Sequence, residues 1–271
     1  MVGAGRLVDR RNRRCRRDAA GVAAPLSDPA ANAVIETDVR DASHDALALP
    51  VLYRDEWLAV INKPAGLMVH DSALARGETD FAADRLREQF GRKVFLVHRL
   101  DRATSGCLLL AFDRDTASTL GKAVMAGELQ KDYRAICRGW PEADFDVDHP
   151  LDGGPGKPVK KPAQTRFQVL ARTECDWPSA GFASSRYALV QAQPVTGRFR
   201  QIRRHLKHVS HHMIGDTSHG DGRHNRAFRM VGIHRMLLHA HRLAFAHPAS
   251  GKMLETVAPP DAQFAKALAY F

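Results

Sequence analysis

His98-Arg99-Leu100-Asp101-Arg102-Ala103-Thr104-Ser105-Gly106 sets one carboxylate between two arginines, with the apolar run 94–97 leading in and the apolar run 107–112 leading out. A polar segment between two apolar runs of strand length reads as a loop clamped by two buried strands. Asp101 beside Arg99 and Arg102 is favoured in its charged form, because an opposite charge within about 4–6 Å stabilises the carboxylate. An ionised carboxylate on a rigid loop is a candidate nucleophile. The plainer reading of the same residues is a turn with a local salt bridge. The two are separated by the rest of the chain.

The chain has 271 residues, 44% hydrophobic and 26% charged, which suits one large domain with a sizeable core. No apolar run approaches the roughly 18 residues of a membrane helix, and the start lacks a secretory leader, so a cytoplasmic location is expected. Cys15, Cys107, Cys137 and Cys175 are scattered without a Cys-x-x-Cys pair, so reduced thiols are expected in place of a zinc ribbon or disulfide framework. The net charge of +10 points to a polyanionic partner, as nucleic acid is. Residues 1–49 contribute little of it, with eight arginines against seven acids, so the basic surface belongs to residues 50–271. The first 49 residues run from an Arg-rich to an Ala-rich acidic block without an apolar period. They are expected to be a disordered extension that attracts RNA non-specifically.

From Pro50 onward, strands are expected at 51–53 and 57–62 around the turn 54–56, followed by a tight turn at Lys63-Pro64-Ala65-Gly66 and an extended 67–70. Thr79 or Asp80 is expected to cap a helix over 81–90. Asp113 or Asp115 should cap one over 116–126 that Gly127 ends. Residues 130–138 alternate as a half-exposed strand with Tyr133 and Ala135 on one face. Residues 139–163 read as a long surface loop carrying Lys157, Lys160 and Lys161. Strands over 165–171 and 186–193 precede a helix from Arg198, in which Phe199, Ile202, Leu206 and Val209 form the apolar stripe and Arg203 sits at its edge. A polar loop over 211–235, strands over 237–245 and 253–257, and a last helix capped by Asp261 complete the chain. The irregular order of elements gives an α+β class: one mixed, largely antiparallel sheet flanked by helices around a central cleft.

His205, His208, His211, His212 and His219 invite a metal reading. A zinc site needs three or four ligands converging without competing cations, and Arg203, Arg204 and Lys207 are interleaved here. An aspartyl phosphotransferase needs an Asp-x-Asp-x-Thr pattern, but Ala103 and Ser105 occupy the matching places after Asp101. With no phosphate-binding glycine loop or dinucleotide fingerprint either, chemistry without a metal or cofactor is expected.

The opening stretch, written His98-Arg99-Leu100-Asp101-Arg102-x-Thr104-Ser105-Gly106, resembles the signature of the RluA-type pseudouridine synthases. Three further blocks match in order: Asn62-Lys63-Pro64-x-Gly66, Lys131-x-Tyr133-x-Ala135, and Pro194-x-Thr196-Gly197-Arg198-x-x-Gln201-Ile202-Arg203-x-His205. The likeness extends from about residue 50 to the end, through Ile214-Gly215-Asp216 and Leu238-His239-Ala240. Arg203-Arg204-His205-Leu206, Gly215-Asp216-x-x-His219-Gly220-Asp221 and Asn225-Arg226 look most like its TruC branch, the tRNA pseudouridine-65 synthases. The chain departs from the family at Arg200, where a histidine is usual.

The resemblance implies a cofactor-free isomerase whose partner is RNA, above all tRNA; no obligate protein partner is evident in the sequence, and a monomer is expected. It makes Asp101 the nucleophile that lets a flipped-out uracil leave its ribose, rotate and rejoin through carbon. Tyr133 then stacks on the base, and Arg203, far along the chain, replaces the sequence neighbours as the partner of Asp101. Arg99 faces the RNA, Ile202 packs on the ring, and Arg102, Arg198, Arg200 and Lys63 are candidate RNA contacts. Flipping costs a few kcal/mol of unstacking, which asks for a basic surface beside an apolar pocket. Two alternatives stand beside a tRNA enzyme: a ribosomal RNA synthase of the same chemistry, and an RNA-binding or folding factor that needs no catalysis.

Overall fold

The polar motif leads into the most deeply buried strand of the protein. In the computed structural model, which describes residues 15–17, 48–71, 77, 79–179 and 181–271, β5 (Ser105–Ala111) is buried along its whole length. That suits the sequence Ser-Gly-Cys-Leu-Leu-Leu-Ala, since a strand covered on both faces needs no polar alternation. β3 (Leu58–Lys63) lies antiparallel to it on one side, with Leu58 opposite Ala111 and Lys63 opposite Gly106. On the other side β10 (Leu238–Ala246) runs parallel to it, with His239 opposite Ser105 and Ala240 opposite Gly106. Gly106 has φ +107°, and a β-carbon there would lie 2.2 Å from the Ala240 carbonyl oxygen. Only glycine permits this close approach directly beneath the motif.

The sheet extends outward from this centre. Beyond β3 comes β2 (Val51–Arg54), its hairpin partner. Beyond β10 come β6 (Gln130–Arg138), β9 (Ser185–Pro194), β8 (Gln164–Cys175) and, at the edge, β1 (Cys15–Arg17). Three shorter strands pair off this path: β4 (Phe95–Leu96) with β5, β7 (Phe145–Asp148) with β8, and β11 (Met253–Val257) with β10. Every pairing between the named strands is antiparallel except β10 with β5, which is the mixed, largely antiparallel sheet expected. Helices pack on it through apolar stripes. α1 (Ala82–Phe90) brings Ala82 and Leu86 against Ile61, Leu108 and Leu110, and α3 (Gln201–His208) brings Ile202 and Leu206 against Phe167 and Val190. α2 (Arg114–Ala126) covers Leu109 and Phe245 with Leu120, while Phe228 of α4 (Gly222–Met230) and Phe264 of α5 (Ala262–Leu268) enclose Trp177 and Tyr187. No described helix is long and apolar enough to cross a membrane.

Several local expectations are corrected. Neither Thr79 nor Asp80 caps α1: Phe81 is the cap residue, in extended conformation, and the first helical N–H groups donate to the Met68 and Val69 carbonyls. The neighbouring extended segment thus takes the place of a capping side chain. Helix α3 begins at Gln201, not Arg198, because the buried Gln201 carboxamide folds the preceding chain into a loop. Its oxygen accepts from Arg198 N–H (2.9 Å) and the Thr196 hydroxyl (2.7 Å), and its nitrogen donates to the Gln164 carbonyl (2.9 Å). The 139–163 loop contains β7, whose Phe145 stacks on Phe167 with ring centroids 4.8 Å apart. The 211–235 loop contains α4, capped by Asp221; its buried face is His224, Asn225 and Phe228, which shows no apolar period. Cys15 and Cys175, expected reduced, lie opposite each other on β1 and β8 and form a disulfide, while Cys107 and Cys137 are free and buried. Of the proposed disordered extension, only residues 15–17, 48 and 49 are described, and the rest lies outside the described residues.

Candidate active site

The loop carrying Asp101 is held from both ends. His98 turns its Nε2 inward to accept the Leu109 N–H at 3.2 Å, and burial together with the Lys131 charge pushes its pKa down to about 4. It is a neutral structural acceptor, as an imidazole beside a buried strand must be when protonation would strand a charge. On the other side, the Arg102 carbonyl accepts from Gly66 N–H (2.8 Å) and from the Lys63 ammonium (3.2 Å), while Arg102 Nε donates to the Gly66 carbonyl (2.9 Å). Lys63 is completely buried, and its Nζ also donates to the Pro64 and Leu67 carbonyls at 2.7 Å each. Its assignment as an RNA contact is therefore corrected: it is an internal brace that joins the 63–67 turn to the motif loop. Arg102 lies outside the cavity that Asp101 lines.

Asp101 meets Arg203 across the fold. Arg203 Nη1 donates to Asp101 Oδ2 at 2.8 Å, and the other edge of the same guanidinium forms a fork with Asp216, Nε to Oδ2 at 2.6 Å and Nη2 to Oδ1 at 2.9 Å. The Asp216 side chain is fully buried, Arg203 is 7% exposed and Asp101 20% exposed, so the row runs from the core to the cavity floor. Asp216 also accepts the Ser218 and His219 N–H groups (2.8 and 2.9 Å), and its carbonyl receives the Asn225 amide (2.9 Å). Burial raises the Asp216 carboxyl, but the guanidinium and the Ser218 and His219 N–H groups outweigh it and hold the carboxyl below the ordinary range. A bidentate Arg–carboxylate pair fixes the guanidinium plane. Nη1 is thereby presented to Asp101 in one direction. Asp216 was not among the sequence-derived candidates, although Ile214-Gly215-Asp216 was one of the matching blocks; only its partner shows what it does.

The cavity over this row has a volume of about 400 Å³ and is lined by Asp101, Tyr133, Arg203, Ile202 and Leu238, with Arg99, Lys131, Arg198 and Arg200 around it. Arg99 is exposed at the rim, Arg198 Nε is bound to the Pro162 carbonyl (3.0 Å), and Arg200, at φ 52°, lies over the Phe199 ring at 4.7 Å. Tyr133 stands on β6, opposite Ala240 of β10 and Ala192 of β9, and faces the cavity. Burial and the nearby Asp101 charge push its pKa up, so the phenol stays neutral. The site thus joins an apolar, aromatic wall to one carboxylate locked on an arginine. Such a site can hold a flat polar ring and present a fixed oxygen to it.

Four of the five histidines that suggested a metal have other engagements, and the fifth, His219, has a buried Nε2 without a hydrogen bond among the described residues. His205 contacts the Thr165 hydroxyl (2.9 Å) and the His149 carbonyl (3.0 Å), His211 the Arg138 carbonyl (3.0 Å), and His212 the His219 carbonyl (2.9 Å). His208 stacks on His149 at 3.8 Å. Among the described residues, no three His, Cys, Asp or Glu side chains come together to hold an ion.

Residues 57–208 match the family model described as RNA pseudouridylate synthase. The chain is 40% identical over 223 residues to tRNA pseudouridine synthase C of Vibrio parahaemolyticus, covering 79% of this chain and 91% of that protein. It is 43% identical over 210 residues to the protein of the same name from Vibrio cholerae (74% and 86% covered) and 40% over 233 residues to that of Salmonella typhimurium (82% and 90%). Two solved human structures share the fold. RNA Pseudouridylate Synthase Domain Containing 4 superposes with a TM-score of 0.63 at 24% identity over 84% of this chain and 95% of its own. Domain Containing 1 does so at 0.61 and 24% over 82% and 86%.

Proposed function

The chain belongs to the RNA pseudouridylate synthase family of the RluA type, and from that premise we propose that it isomerises one uridine of tRNA, at position 65, with Asp101 as the nucleophile. The observation that carries this reading is the 2.8 Å pairing of Asp101 with Arg203 at the floor of a cavity walled by Tyr133 and Ile202. A uridine flipped into the cavity places its ring between the phenol and the Ile202 side chain. The Asp101 carboxylate, aimed by Arg203, bonds to the nucleoside and the bond from N1 to the ribose breaks. The uracil turns over, C5 bonds to the ribose carbon, the bond to the carboxylate breaks, the C5 proton passes to solvent and N1 takes one up. Tyr133, a neutral phenol beside Asp101, relays the C5 proton to solvent, giving up its own hydroxyl proton as it accepts that one. Arg99, Arg198 and Arg200 contact the RNA around the opening.

Support for tRNA as the substrate comes from the relatives named tRNA pseudouridine synthase C, which match over most of their own length. Residues 50–271 are proposed as the catalytic domain, residues 1–49 as an extension, and the protein as a cytoplasmic monomer. Mapping pseudouridine in tRNA and ribosomal RNA, with and without the protein, tests the assignment. Asp101→Asn is expected to abolish pseudouridine while retaining RNA binding. Normal turnover by that variant refutes the nucleophile, and a lost pseudouridine in ribosomal RNA alone refutes the substrate.

A further inference from the structure

Lys131 is a basic side chain that the reaction outlined above leaves unused. It lies on β6 two residues before Tyr133, hence on the same face and about 7 Å along the strand. It lines the Asp101 cavity and, on its other side, a groove of about 750 Å³ that shares Val124, Pro194, Thr196, Gly197 and Arg198 with that cavity. The side chain is half-buried, yet among the described residues its ammonium has no hydrogen bond or ion pair. Its neighbours differ. The one carboxylate lining the groove, Asp132, is bound by Arg242 (2.8 Å) and by the Gln193 amide (2.7 Å), so it does not neutralise Lys131. A partly desolvated cation that the fold leaves without a partner is destabilising unless an anion arrives.

We propose that this groove holds the nucleotide adjoining the target uridine, with Lys131 bound to the phosphodiester that joins the two. The inference rests on the reading of the Asp101 cavity as the seat of a flipped uridine. Charge and surface fit a nucleotide. Arg166 and Arg198 add positive charge to the groove, while Met125, 83% exposed on the last turn of α2, and Val195, 48% exposed, offer apolar surface to a base. Cationic side chains along a backbone path with flat or apolar platforms beside them are what a single strand needs. The two hollows share Lys131 and the 194–198 turn, so a strand with one base in each carries its intervening phosphate over this common edge, within reach of the ammonium.

The test uses the full chain and a tRNA transcript in which one linkage, 5′ or 3′ of the target uridine, is an uncharged methylphosphonate. For the wild type, the neutral linkage on one of the two sides is expected to lower kcat/KM about 10- to 100-fold, the usual worth of a hydrogen bond to a charged group. Lys131→Met should lose a similar factor on unmodified RNA and lose nothing more from that linkage. Lys131→Arg should regain the sensitivity. Met125→Asp, at a side chain outside the core, should raise KM with kcat retained and so reports on the groove even if Lys131→Met folds poorly. If the losses from Lys131→Met and the neutral linkage multiply, or if neither linkage matters, the phosphate assignment is overturned while the uridine reading stands. A wild type that makes no pseudouridine in the unmodified transcript overturns the uridine reading, and the groove assignment with it.

Discussion

Replacing Arg203 by methionine removes the cation from between two carboxylates while keeping an unbranched side chain in its place. The two acids then suffer differently. Asp101 is 20% exposed and recovers water, whereas the Asp216 side chain is fully buried and does not. Breaking a buried pair by deleting one partner costs about 3–5 kcal/mol, because an uncompensated charge remains. The size of that loss depends on pH. In the wild type the Asp216 carboxyl is held below its ordinary range, chiefly by the Arg203 hydrogen bonds working against burial. Its contribution is therefore present above the unfolded carboxyl pKa of about 3.9 and lost as pH falls through the folded value. Without Arg203, burial dominates and raises the folded pKa above the unfolded one. The folded variant then binds more protons than the unfolded chain, and its stability falls as pH rises through that window. Urea unfolding of wild type and Arg203→Met at pH 8 and pH 5 is expected to show the full deficit at pH 8 and one smaller by a kcal/mol or more at pH 5. Adding Asp216→Asn should restore most of the stability, because the Asn oxygen still accepts from Ser218 and His219 N–H. Pseudouridine formation should remain lost in both variants, since Asp101 has no partner in either. A deficit of equal size at both pH values, or no recovery on adding Asp216→Asn, refutes the buried-carboxylate account.

Three further outcomes follow from the fold beneath the site. His239 donates from Nε2 to the Ala258 carbonyl (2.9 Å) and accepts the Ser105 hydroxyl at Nδ1 (2.8 Å), and burial pushes its pKa down to about 4. The unfolded chain takes up the proton first, so stability should fall on acidification from about pH 6.5 toward 4 by about 1.4 kcal/mol per pH unit from this group; an unchanged slope in His239→Gln contradicts it. Gly106→Ala forces a β-carbon against the Ala240 carbonyl at a positive φ, and a loss of about 3 kcal/mol or more in urea unfolding is expected; a near-neutral effect would mean that β5 and β10 separate easily. Peptide mapping without reductant should recover Cys15 joined to Cys175, with Cys107 and Cys137 alkylated only after unfolding, because burial pushes their thiols up to about 11 and about 12.

Elements whose residues satisfy their needs locally were legible in the sequence. The strands expected over 130–138 and 253–257 are β6 and β11 to the residue, and Asp113 and Asp261 cap the helices expected of them. Elements completed by a distant partner were not. The inner face of α4 is His224, Asn225 and Phe228, whose burial depends on contacts such as that between Tyr187 and His224 (3.1 Å), so no apolar stripe marks it. Lys63 reads as a surface cation because lysine is rarely buried, and only the three carbonyls around its ammonium show that it belongs inside.

The site repeats this division. Asp101 stands out because arginines flank it in sequence, yet the charge that pairs with it across the fold is Arg203, supplied by a helix a hundred residues later. That partner was reached by resemblance alone, since nothing in the spacing of 101 and 203 brings them together. Asp216 is a further step removed. An arginine facing a single carboxylate can swing about the pair, so a fixed nucleophile needs a guanidinium held from behind, and only a second carboxylate with its own backbone donors does this in the core. The visible motif therefore specifies the carboxylate proposed to react, while its aim depends on the Ser218 and His219 N–H groups and the Asn225 amide around Asp216, contacts that no spacing in the sequence announces. Asn225→Ala removes the amide that holds the Asp216 carbonyl and is expected to lower the kcat of pseudouridine formation through the angle of Arg203, leaving Asp101 and Arg203 in place; an unchanged kcat refutes this.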